Sequence, residues 1–112
     1  MREYKLNSEH DIQSAVMLRL SELGYAVFRT NVGKVRMPDG RWFNTGLPKG
    51  HPDLYAVKSG RIYYIEVKTP TGRVSGEQEH FIATMRDRYG CVAGVVRSVE
   101  DAERLVQNGY KA

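Results

Sequence analysis

The chain turns on Gly50-His51-Pro52-Asp53-Leu54-Tyr55-Ala56-Val57 and the segment that follows it, Arg61-Ile62-Tyr63-Tyr64-Ile65-Glu66-Val67-Lys68. Both runs are rich in β-branched and aromatic residues, and Ser59-Gly60 between them is a turn signal. The spacing predicts a strand–turn–strand hairpin. Side chains alternate along a strand, which puts Glu66 and Lys68 on one face and Ile65 and Val67 on the other. Closing the hairpin brings Asp53, at one end, level with Glu66 at the far end of the second strand. Two carboxylates at that range repel, and a divalent cation relieves the repulsion. Oxygen donors select a hard ion such as Mg²⁺, which keeps waters for substrate and nucleophile. The competing reading is a surface hairpin whose Glu66 and Lys68 are merely solvated.

Upstream, Ser8 is a helix cap with Asp11 three residues on, and Ile12, Ala15, Val16, Leu20 and Leu23 follow at helical spacing before Gly24. A first helix over about 8–23 is expected, then a strand over 25–31. Val35-Arg36-Met37 and Arg41-Trp42-Phe43 flank the turn Pro38-Asp39-Gly40 and predict a small β-hairpin or ordered flap. Leu47 to Pro52 is a loop, because two prolines and a glycine break any regular element. Downstream, Ser75 and Gln78 form a capping box for a helix reaching about Tyr89, with Phe81, Ile82, Met85 and Tyr89 as its buried stripe. Cys91 to Val96 suits a buried strand, and Ser98 caps a last helix over about 98–107.

At 112 residues the chain is one domain with one core. No apolar run reaches eighteen residues, so no membrane span is expected, and the N-terminus lacks the apolar stretch of a secretory signal. The single cysteine, Cys91, has no partner in the chain and reads as a buried structural thiol; a reducing cytoplasm fits. A net charge of +4 is a mild pointer to a polyanionic partner.

Asp53 and Glu66 stand thirteen positions apart, and the pattern P-D followed by E-x-K resembles the signature of the PD-(D/E)xK nuclease superfamily. The predicted order α-β-β-β-α-β-α agrees with that likeness. It implies an α/β, restriction-endonuclease-like αβββαβ core: a central mixed β-sheet flanked by helices, here with a β-hairpin insertion after the first strand and a C-terminal helix. Within the superfamily the chain is similar to the virus-type replication-repair nuclease (VRR-NUC) domain. The likeness lies in Glu9 and Gln13 on the first helix, Gly24-Tyr25, Phe28-Arg29-Thr30-Asn31-Val32-Gly33, Gly50-His51-Pro52-Asp53-Leu54, Tyr64-Ile65-Glu66-Val67-Lys68 and Ser75-Gly76-Glu77-Gln78. Residues 1–112 are then a single VRR-NUC-type domain.

The resemblance implies a metal site of Asp53 and Glu66 joined by the Val67 carbonyl, holding Mg²⁺ (or Mn²⁺). The ion would polarise the scissile phosphate and lower the pKa of a water. Lys68 would orient the attacking water, accept its proton, or neutralise charge growing on the phosphate; the base role needs a lowered pKa, the electrostatic role does not. Glu9 completes the metal site or serves the helix dipole. Gln78 either completes the capping box or reaches the lysine or a phosphate, two roles expected to be partly exclusive. Gln13 is within reach of the same site, and Asn31 and Gly33 shape the approach to it. His51 reads as loop-packing or DNA-facing in preference to a metal ligand. Arg29, Lys34, Arg36, Arg41, Lys49 and Arg73 flank the site in sequence and suit phosphate contacts. Trp42 reads as a core anchor for the hairpin, with a wedge between bases as the alternative.

These readings lead to a Mg²⁺-dependent endodeoxyribonuclease that hydrolyses phosphodiester bonds in branched DNA. The resemblance implies a Holliday-junction resolvase in a bacterial cell or phage-infected host. A two-fold branch needs two symmetric cuts, so a homodimer is expected, with the hairpin at 34–45 and the apolar last helix as candidate contacts, strand exchange included. No organic cofactor and no membrane partner are expected. The alternatives are a flap, single-strand or sequence-dependent nuclease of the same fold, and a catalytically silent DNA-binding module.

Overall fold

The computed structural model describes residues 8–30, 34–44 and 46–109. The elements run α1 (Glu9–Glu22), β1 (Ala26–Arg29), β2 (Lys34–Arg36), β3 (Trp42–Asn44), β4 (Leu54–Lys58), β5 (Arg61–Val67), α2 (Gly76–Asp87), β6 (Val92–Val96) and α3 (Val99–Asn108). The main sheet has the order β1-β4-β5-β6, while β2 and β3, among the described residues, pair only with each other. β1 and β5 both run antiparallel to β4, and β6 runs parallel to β5, so the sheet is mixed. The parallel step is where α2 crosses over, as parallel neighbours require.

Local chemistry explains the element ends. Ser8, Ser75 and Ser98 each accept a hydrogen bond from the backbone N–H three residues on, at the starts of α1, α2 and α3. Ser59 and Gly60 join β4 to β5 with φ of 53° and 76°, the left-handed pair that a two-residue hairpin turn demands. On one face of the sheet, Ile12, Val16 and Leu20 of α1 and Ala102, Leu105 and Val106 of α3 pack on Leu54, Ala56, Tyr63, Ile65 and Val67. On the other face α2 lies against β6, and Phe81 packs edge-on to Tyr64 with ring centroids 5.6 Å apart.

Four expectations need correction. Tyr89 is 62% exposed: α2 ends at Asp87 with Arg88 as its C-cap, which leaves Tyr89 beyond the buried stripe. Trp42 is 64% exposed, with the Arg36 guanidinium 5.9 Å from its ring centroid, and so anchors no core. Cys91 is only half-buried, because it precedes β6 at the surface end of the strand. The apolar face of α3 is consumed inside the chain by β6 and α1, so this helix offers no spare apolar stripe to a second copy.

Candidate active site

The hairpin register places the carboxylates. Leu54 pairs with Ile65, so Asp53, one residue before β4, falls opposite Glu66 on the face that carries α2. Several backbone bonds hold the Asp53 loop. Thr30 clamps it twice: its N–H donates to the Asp53 carbonyl at 2.8 Å, and its hydroxyl donates to the Pro52 carbonyl at 2.5 Å. The Val67 N–H donates to Asp53 Oδ2 at 3.1 Å, tying the aspartate to the strand that carries Glu66. Gly50 has φ of 92°, and a Cβ there would lie 2.5 Å from the Glu77 carbonyl oxygen, so only glycine lets the loop pass the start of α2.

Glu66 is the unusual group. It is the only charged residue among the described ones that is buried, at 1% exposure. Its Oε1 accepts from Gln78 Nε2 at 2.9 Å, whereas its Oε2 is buried with no hydrogen-bond partner. Burial first, then the adjacent Asp53 carboxylate, pushes the Glu66 carboxyl up to about 9, against a smaller downward pull from Lys68. Glu9, at the first position of α1, reaches the same point: one carboxylate oxygen each from Glu9, Asp53 and Glu66 lie within 4.8 Å of one another. A buried carboxyl group with one oxygen unpartnered, set beside two further carboxylates, is costly for the protein alone. It fits a hard divalent cation, whose preferred donors are these oxygens.

The remaining expected residues divide. Gln78 fills both of its alternatives at once: its Oε1 accepts from the Ser75 N–H at 2.9 Å while its Nε2 bonds Glu66, so cap and site are not exclusive, and the partner is the glutamate in place of the lysine. Lys68 follows β5, with its N–H on the Val96 carbonyl at 3.0 Å and its ammonium near enough to Glu66 to act on it electrostatically. His51 packs in the loop: its Nδ1 lies 3.1 Å from the Pro52 carbonyl and its ring 4.9 Å from that of Phe81. Gln13 is half-buried and has no described contact with the triad.

Among the cations, Arg29 donates to Ser14 Oγ at 3.1 Å, Arg41 pairs with Asp39 at 2.7 Å, and Lys49 stands 3.9 Å from Glu77. Arg36 stacks over Trp42, and Arg73 is exposed on the loop before α2. Asn31 and Gly33 lie outside the described residues, as does the side chain of Lys34. Thr30 is the site residue that sequence reasoning missed as an anchor. Its position at the end of β1, facing the P-D loop, was the available signal. A hollow of about 370 Å³ lined by Thr30, Leu47, His51, Tyr55 and Tyr64 adjoins the loop, while a groove of about 980 Å³ between α2 and α3 contains none of the triad.

A mixed four-stranded sheet between helices, with Asp53 just before β4 abreast of Glu66 on β5, is a PD-(D/E)xK-like fold. The VRR-NUC domain model matches residues 7–100, and the chain belongs to that family. Among solved structures it is similar to one described as a VRR_NUC domain, at 24% identity and a TM-score of 0.67, covering 94% of this chain and 100% of that one. It is also similar to Hjc of Archaeoglobus fulgidus, a Holliday junction resolvase, at 20% identity and a TM-score of 0.53, covering 77% of this chain and 64% of that one. At these identities the two likenesses establish fold. A comparison with curated proteins gave no match. No helix among the described residues is long and apolar enough to cross a membrane.

Proposed function

We propose that residues 1–112 form a single divalent-metal-dependent endonuclease domain that hydrolyses phosphodiester bonds in branched DNA, with the four-way junction as its substrate. The observation that carries this is the meeting of Glu9, Asp53 and the buried Glu66, one of whose oxygens has no partner, inside a fold of nucleases. The junction itself is suggested by the likeness to the archaeal resolvase.

Asp53, Glu66 and Glu9, with the Val67 carbonyl, would hold Mg²⁺ or Mn²⁺, which would supply Lewis-acid polarisation of the phosphate and acidification of water. The protein's own residues do the rest. Thr30 and the Val67 N–H fix Asp53 before substrate arrives, so no reorganisation is needed at the moment of reaction. Lys68 places a positive charge where the phosphate becomes more negative, as water oxygen bonds to phosphorus and the ester oxygen leaves. Arg29, Lys34, Arg36, Arg41, Lys49 and Arg73, with Asn31 and His51, are the proposed backbone contacts; they track phosphates without reading bases. Two symmetric cuts require two sites, hence a homodimer. The β2–β3 hairpin is the favoured contact, since it exposes Trp42 and Phe43 and pairs with no other strand.

The test is cleavage of a labelled immobile four-way junction in Mg²⁺ or Mn²⁺, beside a flap, a single strand and a linear duplex, with Asp53→Ala as control. Paired symmetric nicks, lost in the variant, are expected. Cutting of a flap or single strand with the junction spared would keep the nuclease and remove the resolvase. Binding without cleavage of any substrate would leave a DNA-binding module.

A further inference from the structure

The start of α2 sits against both halves of the acidic site. Gly50, three residues before Asp53, passes within contact of the Glu77 backbone, leaving no space for a Cβ. Lys49 stands 3.9 Å from the Glu77 carboxylate. Glu66 on β5 meets the next residue, Gln78. The elements that deliver the two carboxylates thus rest on one helical turn, and none of the three converging carboxylates, Glu9, Asp53 and Glu66, comes from it.

Gln78 joins the two sides through one amide group. Its oxygen accepts the Ser75 N–H at 2.9 Å, and the Ser75 hydroxyl accepts the Gln78 N–H at 3.1 Å, which closes the capping box. Its NH₂ then donates to Glu66 Oε1 at 2.9 Å, which fixes the rotation of the carboxyl group, while Oε2 is buried with no hydrogen-bond partner. An amide plane is rigid, so an oxygen fixed by the helix cap fixes the NH₂ as well. A capping glutamate could hold the Ser75 N–H equally well, but it has no hydrogen to give a carboxylate. The choice of glutamine at this position is explained by the second bond.

We infer that Gln78 is a positioning residue that couples the N-terminal cap of α2 to the cation-binding state of Glu66. Cation binding and order in the first turn of α2 reinforce each other, because coupling between two sites is reciprocal. The inference rests on the metal-dependent reading above and concerns a residue hydrogen-bonded to a proposed ligand, Glu66. Partners of this kind, one bond removed from a metal ligand, commonly change metal affinity by about 10–100-fold.

The experiment is titration of the full chain with Mn²⁺ alone by calorimetry, for wild type, Gln78→Ala and Ser75→Ala, with hydrogen exchange over residues 75–79 before and after Mn²⁺. Both substitutions weaken the cap, but only Gln78→Ala removes the bond to Glu66. Expected are a fall of about 10–100-fold in Mn²⁺ affinity for Gln78→Ala, a markedly smaller fall for Ser75→Ala, and slower exchange of the 75–79 segment in wild type once Mn²⁺ is bound. Equal affinities in wild type and Gln78→Ala, or equal losses in the two variants, would overturn the inference and leave the metal site standing. Unchanged wild-type exchange on Mn²⁺ binding overturns it without recourse to any variant. No Mn²⁺ uptake by wild type overturns both this and the metal-dependent reading.

Discussion

Glu66 shows how one residue records the site it serves. In the metal-free protein its carboxyl keeps a proton up to about pH 9, whereas in the unfolded chain it ionises near the ordinary glutamate value of 4.5. Between those values the native state holds the extra proton, so unfolding releases it and stability falls as pH rises. The contribution is complete below about 4.5 and is lost through about 9. Thermal melts of the metal-free protein are therefore expected to drop between neutral pH and pH 9, and Glu66→Gln is expected to flatten that slope. A cation that takes the carboxylate form must also expel the proton. Calorimetry in buffers of different ionisation enthalpy should find up to one proton released per cation at neutral pH, and none from this position in Glu66→Gln. Lys68→Ala should lower cleavage by roughly 10²–10³-fold with Mn²⁺ binding retained; loss of binding instead would make Lys68 a structural residue. The meeting of Asp53 and Glu66 was legible because the hairpin spacing places them abreast. The Gln78 bridge was not, since a capping glutamine looks the same in sequence whether or not its second end finds a partner.

Element boundaries were legible wherever a cap or turn residue marks them. Ser8, Ser75 and Ser98 each sit at the start of a helix, as read, and Ser59-Gly60 is the turn between β4 and β5. What the periodicity could not supply was where a stripe stops being buried. Tyr89 fits the helical spacing of α2, yet the helix ends before it, and Trp42 is large and apolar on a hairpin where it stays 64% exposed beneath the Arg36 guanidinium. The Ser59 turn carries its own prediction. A serine at φ of 53° is in a region that L-residues other than asparagine and aspartate enter at a cost of about 1 kcal/mol. Ser59→Asn, giving the Asn-Gly pair this turn prefers, should raise stability by about 0.5–1 kcal/mol and leave cleavage unchanged. A chemical denaturation midpoint at or below that of wild type would contradict this.

At the scale of the whole molecule, the mixed sheet and its flanking helices were legible in the element succession, whereas the strand order β1-β4-β5-β6 was not. Assembly is another matter. The apolar stripe of α3 looked like a surface for a second copy because a sequence cannot say which of two possible neighbours covers a helix; β6 and α1 cover it. The β2–β3 hairpin has the opposite character, since a two-stranded sheet is at best marginal without further packing and this one exposes Met37, Trp42 and Phe43. Replacing residues 34–44 with a short Gly-Ser linker is expected to leave a folded, Mn²⁺-binding monomer where the full chain sediments as a dimer. A full chain that sediments as a monomer at working concentration would remove the homodimer, and with it paired cutting by two copies of this chain.

The β4–β5 hairpin also bears on how the chain reaches its native state. Asp53 and Glu66 are thirteen positions apart and meet through a two-residue turn, whereas Glu9 must arrive from forty-four positions upstream of Asp53. Hairpins form in about 1–10 μs, and contacts that close longer loops come later. The order of assembly follows: two carboxylates are brought abreast early on a local ribbon, and α1 delivers the third when the core closes. A cation that already bridges that ribbon in the transition state should speed folding as Mn²⁺ is raised and leave the unfolding rate nearly unchanged, whereas one bound only after the core closes should slow unfolding instead; a stopped-flow series with wild type and Glu9→Gln separates the two.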